Sequence, residues 1–266
     1  MDLGLNDKVA IITGGSKGIG RATALRMLNE GARVLICGRS RDALDDAVRE
    51  SRNIAGAKIV AMAADLNSTD DIRAVVAHCI GELGRVDILV NNAGSARPGR
   101  ILDTSDDVWQ EDYSLKLFGY VRMTREVIAH MEKQGSGVIV NVLGVGGLMP
   151  SATYLTGGSA NAALLHFTKA IADEGARYGV RSVGVNPGPI DTERYRLFAW
   201  PKDAPNEEAA LEIYRKALVA STPLGRPGRP EEVADLIAFL ASPRAEFITG
   251  TSVTIDGGNN RRNLTN

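Results

Sequence analysis

Residues 9–40 read VAIITGGSKGIGRATALRMLNEGARVLICGRS, and the succession of patterns in them decides the fold. The apolar run at 9–12 predicts a strand covered on both faces. Gly14, Gly18 and Gly20 then permit a tight turn, close approach of the backbone to a bound group, and close packing of the helix expected over 18–30. A second apolar run at 33–37 predicts the next strand. Strand, glycine-rich turn, helix and strand form a β-α-β unit. Such a unit offers a pyrophosphate the free N–H groups and the positive dipole end of its helix. Ser16, Lys17 and Ile19 complete the turn that would touch it.

The alternation continues outward from this unit. Further strands are expected at 58–62, 86–90, 138–142, 181–186 and 252–255, and further helices at 40–52, 68–83, 105–133, 153–178 and 230–241. The whole chain, 1–266, reads as a single α/β domain. Its core would be a doubly wound parallel sheet of about seven strands with helices on both faces, binding ligands beyond the carboxyl ends of the strands. Residues 193–222 break the alternation and carry Tyr195, Phe198, Trp200 and Tyr214, so this stretch is read as an insertion covering a substrate.

Composition excludes several classes of partner. With 44% hydrophobic and 24% charged residues, the chain has enough apolar material for one large core. A net charge of −1 gives no electrostatic reason to expect nucleic acid or an anionic membrane. The opening MDLGLNDKVAIITGG lacks the basic and apolar regions of a secretory signal, and no apolar run approaches the ~18 residues of a membrane span. Cys37 and Cys79 fall in a strand and a helix and are read as buried free thiols, which suits the reducing cytoplasm expected as location. No metal site is expected.

The second strand ends in CGRSRD, residues 37–42. A dinucleotide fold selecting NAD usually carries an acidic residue here, which would repel a 2′-phosphate. In this chain Gly38 takes that place and Arg39 and Ser40 follow. Arg39 and Lys17 can pair with a 2′-phosphate, so NADP(H) is preferred over NAD(H). The bland alternative is two solvated surface cations.

At this point a family resemblance is plain. Thr-Gly-x-x-x-Gly-x-Gly at 13–20, Asp65-Leu66 after the third strand, NNAG at 91–94, NPGPIDT at 186–192 and the ending PLGRPGRPEEVADLIAFLAS…ITGTSVTIDGG at 223–258 resemble the short-chain dehydrogenase/reductase family, in its order. The resemblance implies a Rossmann-type fold and assigns cofactor contacts. Asp65 and Leu66 would flank the adenine, and Asn91, Ala93 and Gly94 would line the middle of the cofactor. Pro187, Gly188, Ile190 and Thr192 would hold the nicotinamide carboxamide. It also implies a homodimer or homotetramer built on the helices at 105–133 and 153–178.

The resemblance fails at the chemistry. The family uses a Tyr as proton donor, a Lys four residues later that lowers its pKa and binds the nicotinamide ribose, a Ser that orients the carbonyl, and an Asn that anchors a relay water. Aligned on SANAAL at 159–164, these fall on Gly157, Asn161, Gly144 and Lys116. The helix at 153–178 therefore opens on two glycines, Gly157 and Gly158, although Ala163, Leu164, Phe167, Ala170 and Ile171 predict a buried apolar face further along. An amide and an ammonium have exchanged helices, so Lys116 is expected to reach the nicotinamide ribose region. Tyr154, three residues before 157, is expected to line the substrate pocket, as an acid or as an aromatic wall. Tyr154 and Lys116 are the candidate catalytic residues; Ser151, Ser159 and His166 are read as structural. The expected function is an NADP(H)-dependent oxidoreductase of a small organic molecule with a non-standard proton donor. Alternatives are a redox-neutral lyase, hydrolase or isomerase that keeps the nucleotide as scaffold, and a non-catalytic nucleotide-binding subunit.

Overall fold

The computed structural model describes residues 1–199 and 203–260. Seven strands form one fully parallel sheet: β1 (Val9–Thr13), β2 (Arg33–Gly38), β3 (Lys58–Ala63), β4 (Ile88–Asn91), β5 (Gly137–Val142), β6 (Val180–Pro187) and β7 (Ser252–Ile255), in the order β3-β2-β1-β4-β5-β6-β7. The order reverses direction between β1 and β4, and a doubly wound sheet opens its ligand crevice at such a point. Side chains alternate along each strand between two apolar layers. Ala10 and Ile12 point to α1 (Gly18–Asn29), α2 (Arg41–Ser51) and α9 (Pro230–Ala241); Val9 and Ile11 point to α3 (Thr69–Leu83) and α5 (Gly119–Gln134).

Two expectations about helices need correction. The helix expected over 105–133 is not continuous. It consists of α4 (Asp106–Tyr113), a π-helical turn (Ser114–Phe118) and α5. The wider turn carries Lys116 to 8% exposure, with its side chain directed at the carboxyl ends of the strands. The helix expected over 153–178 is α6 (Leu155–Gly175) followed by a 3-10 turn (Ala176–Tyr178). Its buried stripe is Thr156, Gly157, Ala160, Asn161, Leu164, Thr168, Ala172 and Gly175, whereas Ala163 and Ala170 are exposed. Small residues win the inner face because the helix backbone lies close to the strand layer; a Cβ at Gly175 would sit 2.8 Å from the Val180 carbonyl oxygen.

Buried polar groups stitch the centre of the sheet. Asn91 donates to Asn141 (2.9 Å) and Thr124 (3.2 Å), and Asn141 donates to the Thr168 hydroxyl (3.0 Å), joining β4, β5, α5 and α6. The 193–222 segment forms α7 (Glu193–Ala199) and α8 (Glu207–Ser221), beyond the end of β6. Tyr195 and Tyr214 pack with ring centroids 6.2 Å apart; Trp200 and the side chain of Phe198 lie outside the described residues. Cys37 and Cys79 are buried and free. Among the described residues no helix is long and apolar enough to cross a membrane.

Candidate active site

A cleft of about 530 Å³ runs across the carboxyl ends of β1, β4, β5 and β6. Its floor at one end is the glycine-rich turn. Asn92 donates to the carbonyls of Thr13 (3.0 Å) and Gly14 (3.2 Å), and the Thr13 hydroxyl accepts from the amides of Asn92 and Ala93, so turn and β4 loop are one unit. The start of α1 faces this end with Lys17 as N-cap, no side-chain cap and no acid in its first turn, while α2, α3 and α8 are capped by Ser40, Ser68 and Asn206. Uncapped N–H groups with no acid in the helix's own first turn suit a pyrophosphate. At the rim, Gly38 leaves room beside the Ser16 hydroxyl, and exposed Arg39 makes no ion pair among the described residues. These residues fit a dinucleotide.

Of the expected cofactor contacts, Gly14, Ser16, Lys17, Gly18, Ile19, Arg39, Ala93, Gly94, Pro187 and Thr192 line the cleft. The others lie outside this lining, and their own contacts are as follows. Gly20 is buried where a Cβ would strike the Gly14 carbonyl, so it serves helix packing. Ser40 caps α2 through the Ala43 amide, and Leu66 and Ile190 belong to the apolar core. Asp65 accepts from Asn67 through its carboxylate, and its own amide donates to Asp71. Asn91 is fully buried in the sheet network described above, and its neighbour Asn92 takes the cleft-side role. Gly188 packs directly on Asp256. Ser159 accepts from Tyr113 (2.9 Å) and donates within its helix, Ser151 pairs with Thr153, and His166 is exposed.

Tyr154 stands at the opposite end of the cleft. A Cβ added at Gly157 would overlap Cζ and the hydroxyl of Tyr154, so the ring of Tyr154 fills the space that a side chain at 157 would take. The Tyr154 ring also passes Gly146, where a Cβ would sit 3.2 Å from it. Tyr154 lines the cleft together with Lys116, Leu143, Gly144 and Gly94. Gly144 has φ +124°, a conformation in which a serine would be strained. Behind the ring, Asp112 is 5% exposed and accepts from the Thr156 hydroxyl (2.7 Å), the Arg97 amide (2.9 Å) and the Arg97 guanidinium (3.2 Å).

Lys116 faces the cleft rather than solvent. Its Nζ donates to the carbonyls of Val142 (2.9 Å) and Leu143 (3.2 Å) and to the Tyr120 hydroxyl (3.1 Å), while Tyr120 donates to Val142 (2.7 Å). The stem crosses Gly94, where a Cβ would stand 2.5 Å from Lys116 Cδ. Asn161 does not share this position. It is 2% exposed behind Gly144, and its Oδ1 has no partner among the described residues. The exchange of ammonium and amide is therefore one-sided: the cation reaches the cleft and the amide does not.

Sequence reading missed one residue at this end. Arg194, at the start of α7, donates to the Gly94 carbonyl across the cleft, and its neighbour Glu193 pairs with Lys17 at 2.8 Å. Both line the cleft. Burial raises the Tyr154 pKa, and the Arg194 guanidinium pulls against that rise. The only signal in sequence was two charges immediately after NPGPIDT, on a segment whose path no periodicity fixes.

The short chain dehydrogenase family model matches residues 8–199. The 3-oxoacyl-(acyl-carrier-protein) reductase FabG of Thermotoga maritima is 35% identical over 254 residues, 96% of this chain and 98% of that protein. The L-sorbose reductase of Gluconobacter frateurii, solved with NADPH and L-sorbose, superposes with a TM-score of 0.93 at 31% identity, covering 98% of this chain and 99% of that one. An NADPH-bound short chain oxidoreductase of Pseudomonas aeruginosa PAO1 that contains an atypical catalytic center gives 0.90 at 31% identity, covering 97% and 99%. Sheet order, glycine-rich turn, cleft and these likenesses agree: the chain belongs to the short-chain dehydrogenase/reductase family.

Proposed function

We propose that this chain is an NADP(H)-dependent oxidoreductase of a small carbonyl or alcohol substrate, working through a relocated proton donor. The observation that carries the reading is the Tyr154 phenol in the space beside Gly157, at the end of the cleft. A site that had merely lost its donor would leave that space to solvent or to an apolar side chain. Relatives named as reductases and dehydrogenases support the reaction class. NADPH bound in the L-sorbose reductase and the Pseudomonas oxidoreductase supports the nucleotide, together with Gly38 and Arg39 in this chain.

In this reading the nucleotide, when bound, supplies or takes the hydride. Tyr154 passes a proton to or from the substrate oxygen, and Arg194 favours its ionised form, the role the family gives to lysine. Asp112, saturated by Arg97 and Thr156, leaves the phenol without a competing base. Lys17 exchanges its exposed partner Glu193 for the nucleotide phosphate, a small loss because solvent-exposed ion pairs are weak. Helices α7 and α8 cover the substrate. Assembly as a homodimer or homotetramer fits the exposed Ala163 and Ala170 on α6 and Phe118 at the head of α5.

Lys116 supplies a cation whose charge is adjustable. Burial pushes it from 10.5 down to about 7, and the nearby Arg194 guanidinium pushes the same way. The folded state thus binds this proton more weakly than the unfolded chain. Between pH 7 and the unfolded value the unfolded chain holds the extra proton, so this group makes stability rise with pH; its penalty is fully present below pH 7.

Three outcomes are expected. Tyr154→Phe lowers kcat for NADPH oxidation, measured over a panel of small ketones and aldehydes, by ~10²–10⁴ with NADPH affinity unchanged; retention of full turnover contradicts the assignment. Arg39→Ala raises the Kd for NADPH by roughly 10- to 100-fold in fluorescence titration and leaves NADH binding unaltered, and equal losses for both nucleotides would refute the 2′-phosphate role. In urea unfolding at pH 7 to 10, the stability of wild type relative to Lys116→Met climbs by up to about 1.4 kcal/mol per pH unit, whereas a level difference would mean an ordinary lysine.

A further inference from the structure

Tyr154 stands where its own helix holds it least. It is the N-cap of α6, with φ −141° and ψ 51°, and its side chain makes no cap hydrogen bond. The first turn of α6 carries no acid and contains Gly157 and Gly158, so neither dipole compensation nor helix propensity steadies it. The hold comes from outside. Asp112, at the end of α4, is 5% exposed. Its Oδ2 accepts from the Thr156 hydroxyl at 2.7 Å and from the Arg97 amide at 2.9 Å, and its Oδ1 accepts from Arg97 Nε at 3.2 Å. The Arg97 guanidinium is fixed in turn by Glu111 at 2.7 Å. Thr156 lies two residues after Tyr154, and Arg97 lies on the loop after β4. That loop returns to the residue before Tyr154, since the Gly99 amide donates to the Thr153 carbonyl at 2.9 Å. The carboxylate thus closes a ring of contacts around Tyr154, from Thr156 through Arg97 and Gly99 to Thr153. A buried carboxylate is a poor choice if this corner only needs filling. Taking it out of water is costly, and an apolar side chain of similar volume would often serve stability at least as well. What a carboxylate offers instead is several directed acceptors at one point.

We infer that Asp112 is the positioning residue of this site, fixing the backbone on both sides of Tyr154 so that the phenol lies over Gly157 at the end of the cleft. The inference rests on the reading of Tyr154 as proton donor. Asp112 lies outside the cleft lining and acts through Thr156 and the loop after β4. Its charge also acts at a distance. Burial raises the Tyr154 pKa, the Arg194 guanidinium opposes the rise, and the Asp112 carboxylate adds to it. The other titratable groups near the phenol are Lys116 from the π-helical turn and Tyr120 from α5.

The test uses the full chain with NADPH bound and the same panel of ketones and aldehydes. Asp112→Asn, nearly equal in shape, and Thr156→Val are each expected to lower kcat by about 10- to 100-fold, the usual cost of a misplaced catalytic group. The Kd for NADPH should stay within about threefold of wild type, because a positioning link acts on turnover and not on nucleotide binding. Thr156→Ser, which keeps the hydroxyl, should hold kcat within about threefold of wild type. The double variant should lose no more than the worse single one, because both cut the same link. Tyrosine labelled with carbon-13 at Cζ gives a readout independent of turnover. In Asp112→Asn the Tyr154 signal, assigned by its absence in Tyr154→Phe, should shift and should titrate at lower pH. Unchanged kcat together with an unchanged Tyr154 signal in Asp112→Asn overturns the inference and leaves Asp112 a structural tie. So does a loss of turnover in Thr156→Ser equal to that in Thr156→Val. If Asp112→Asn does not fold, the Thr156 pair decides. Full turnover in Tyr154→Phe would instead refute the proton-donor reading, and the Tyr154 signal would still report on the hold of Asp112.

Discussion

A tyrosine ring lying on a glycine in the first turn of α6 is the contact on which this end of the cleft depends. Packed interiors hold few voids, and removal of a large side chain leaves a cavity that costs stability unless neighbours fill it. Gly157 has no side chain, and the Tyr154 ring occupies its volume. The same contact explains Gly146, which lets the ring pass. Gly158 has a separate reason: a Cβ there would stand 3.1 Å from the Gly146 carbonyl oxygen. What reads as a weak helix start is a platform for a phenol that arrives from the preceding loop.

Two cations, Lys116 and Arg194, line the cleft with that phenol. In the family a lysine on α6 serves both tyrosine and ribose. Here Lys116 enters from the π-helical turn before α5, and Arg194 enters from α7. The wide turn and the missing side chain at Gly94 together admit the Lys116 stem, and three acceptors at the ends of β5 and α5 fix its head. Burial makes that head a weak base, so its charge state responds to whatever binds beside it. One cation thus stands on the scaffold and the other on α7.

The sheet was legible in sequence because its signals are local. Apolar runs, the glycine-rich turn and NNAG fix strands and their carboxyl ends, and all seven strands lie where the alternation predicts. Glycine at 144 and 157 and an amide at 161 are read directly from the chain. Their refilling was only half legible, since a side chain's direction depends on packing between distant segments. Tyr154 could be named as a candidate, yet nothing in SATYLTGG tells that its ring folds back over 157. The inner face of α6 was misread because apolar periodicity marks Ala163 and Ala170, whereas close approach to the strands selects glycine, alanine and threonine. Asn91 shows the same limit: it sits in a cofactor motif, but its amide is spent between strands. Arg194 had no pattern to announce it, because α7 follows a loop and carries no periodic signal.

The chemistry of this cleft turns on where the Tyr154 hydroxyl stands when the nucleotide is bound. A crystal structure of the NADPH complex measures this directly. The refilled site predicts the Tyr154 ring still on Gly157, with its hydroxyl facing the nicotinamide C4 and room for one substrate oxygen at roughly 3 Å from the phenol. A Tyr154 ring turned out of the cleft, with water in the space beside Gly157, would contradict it.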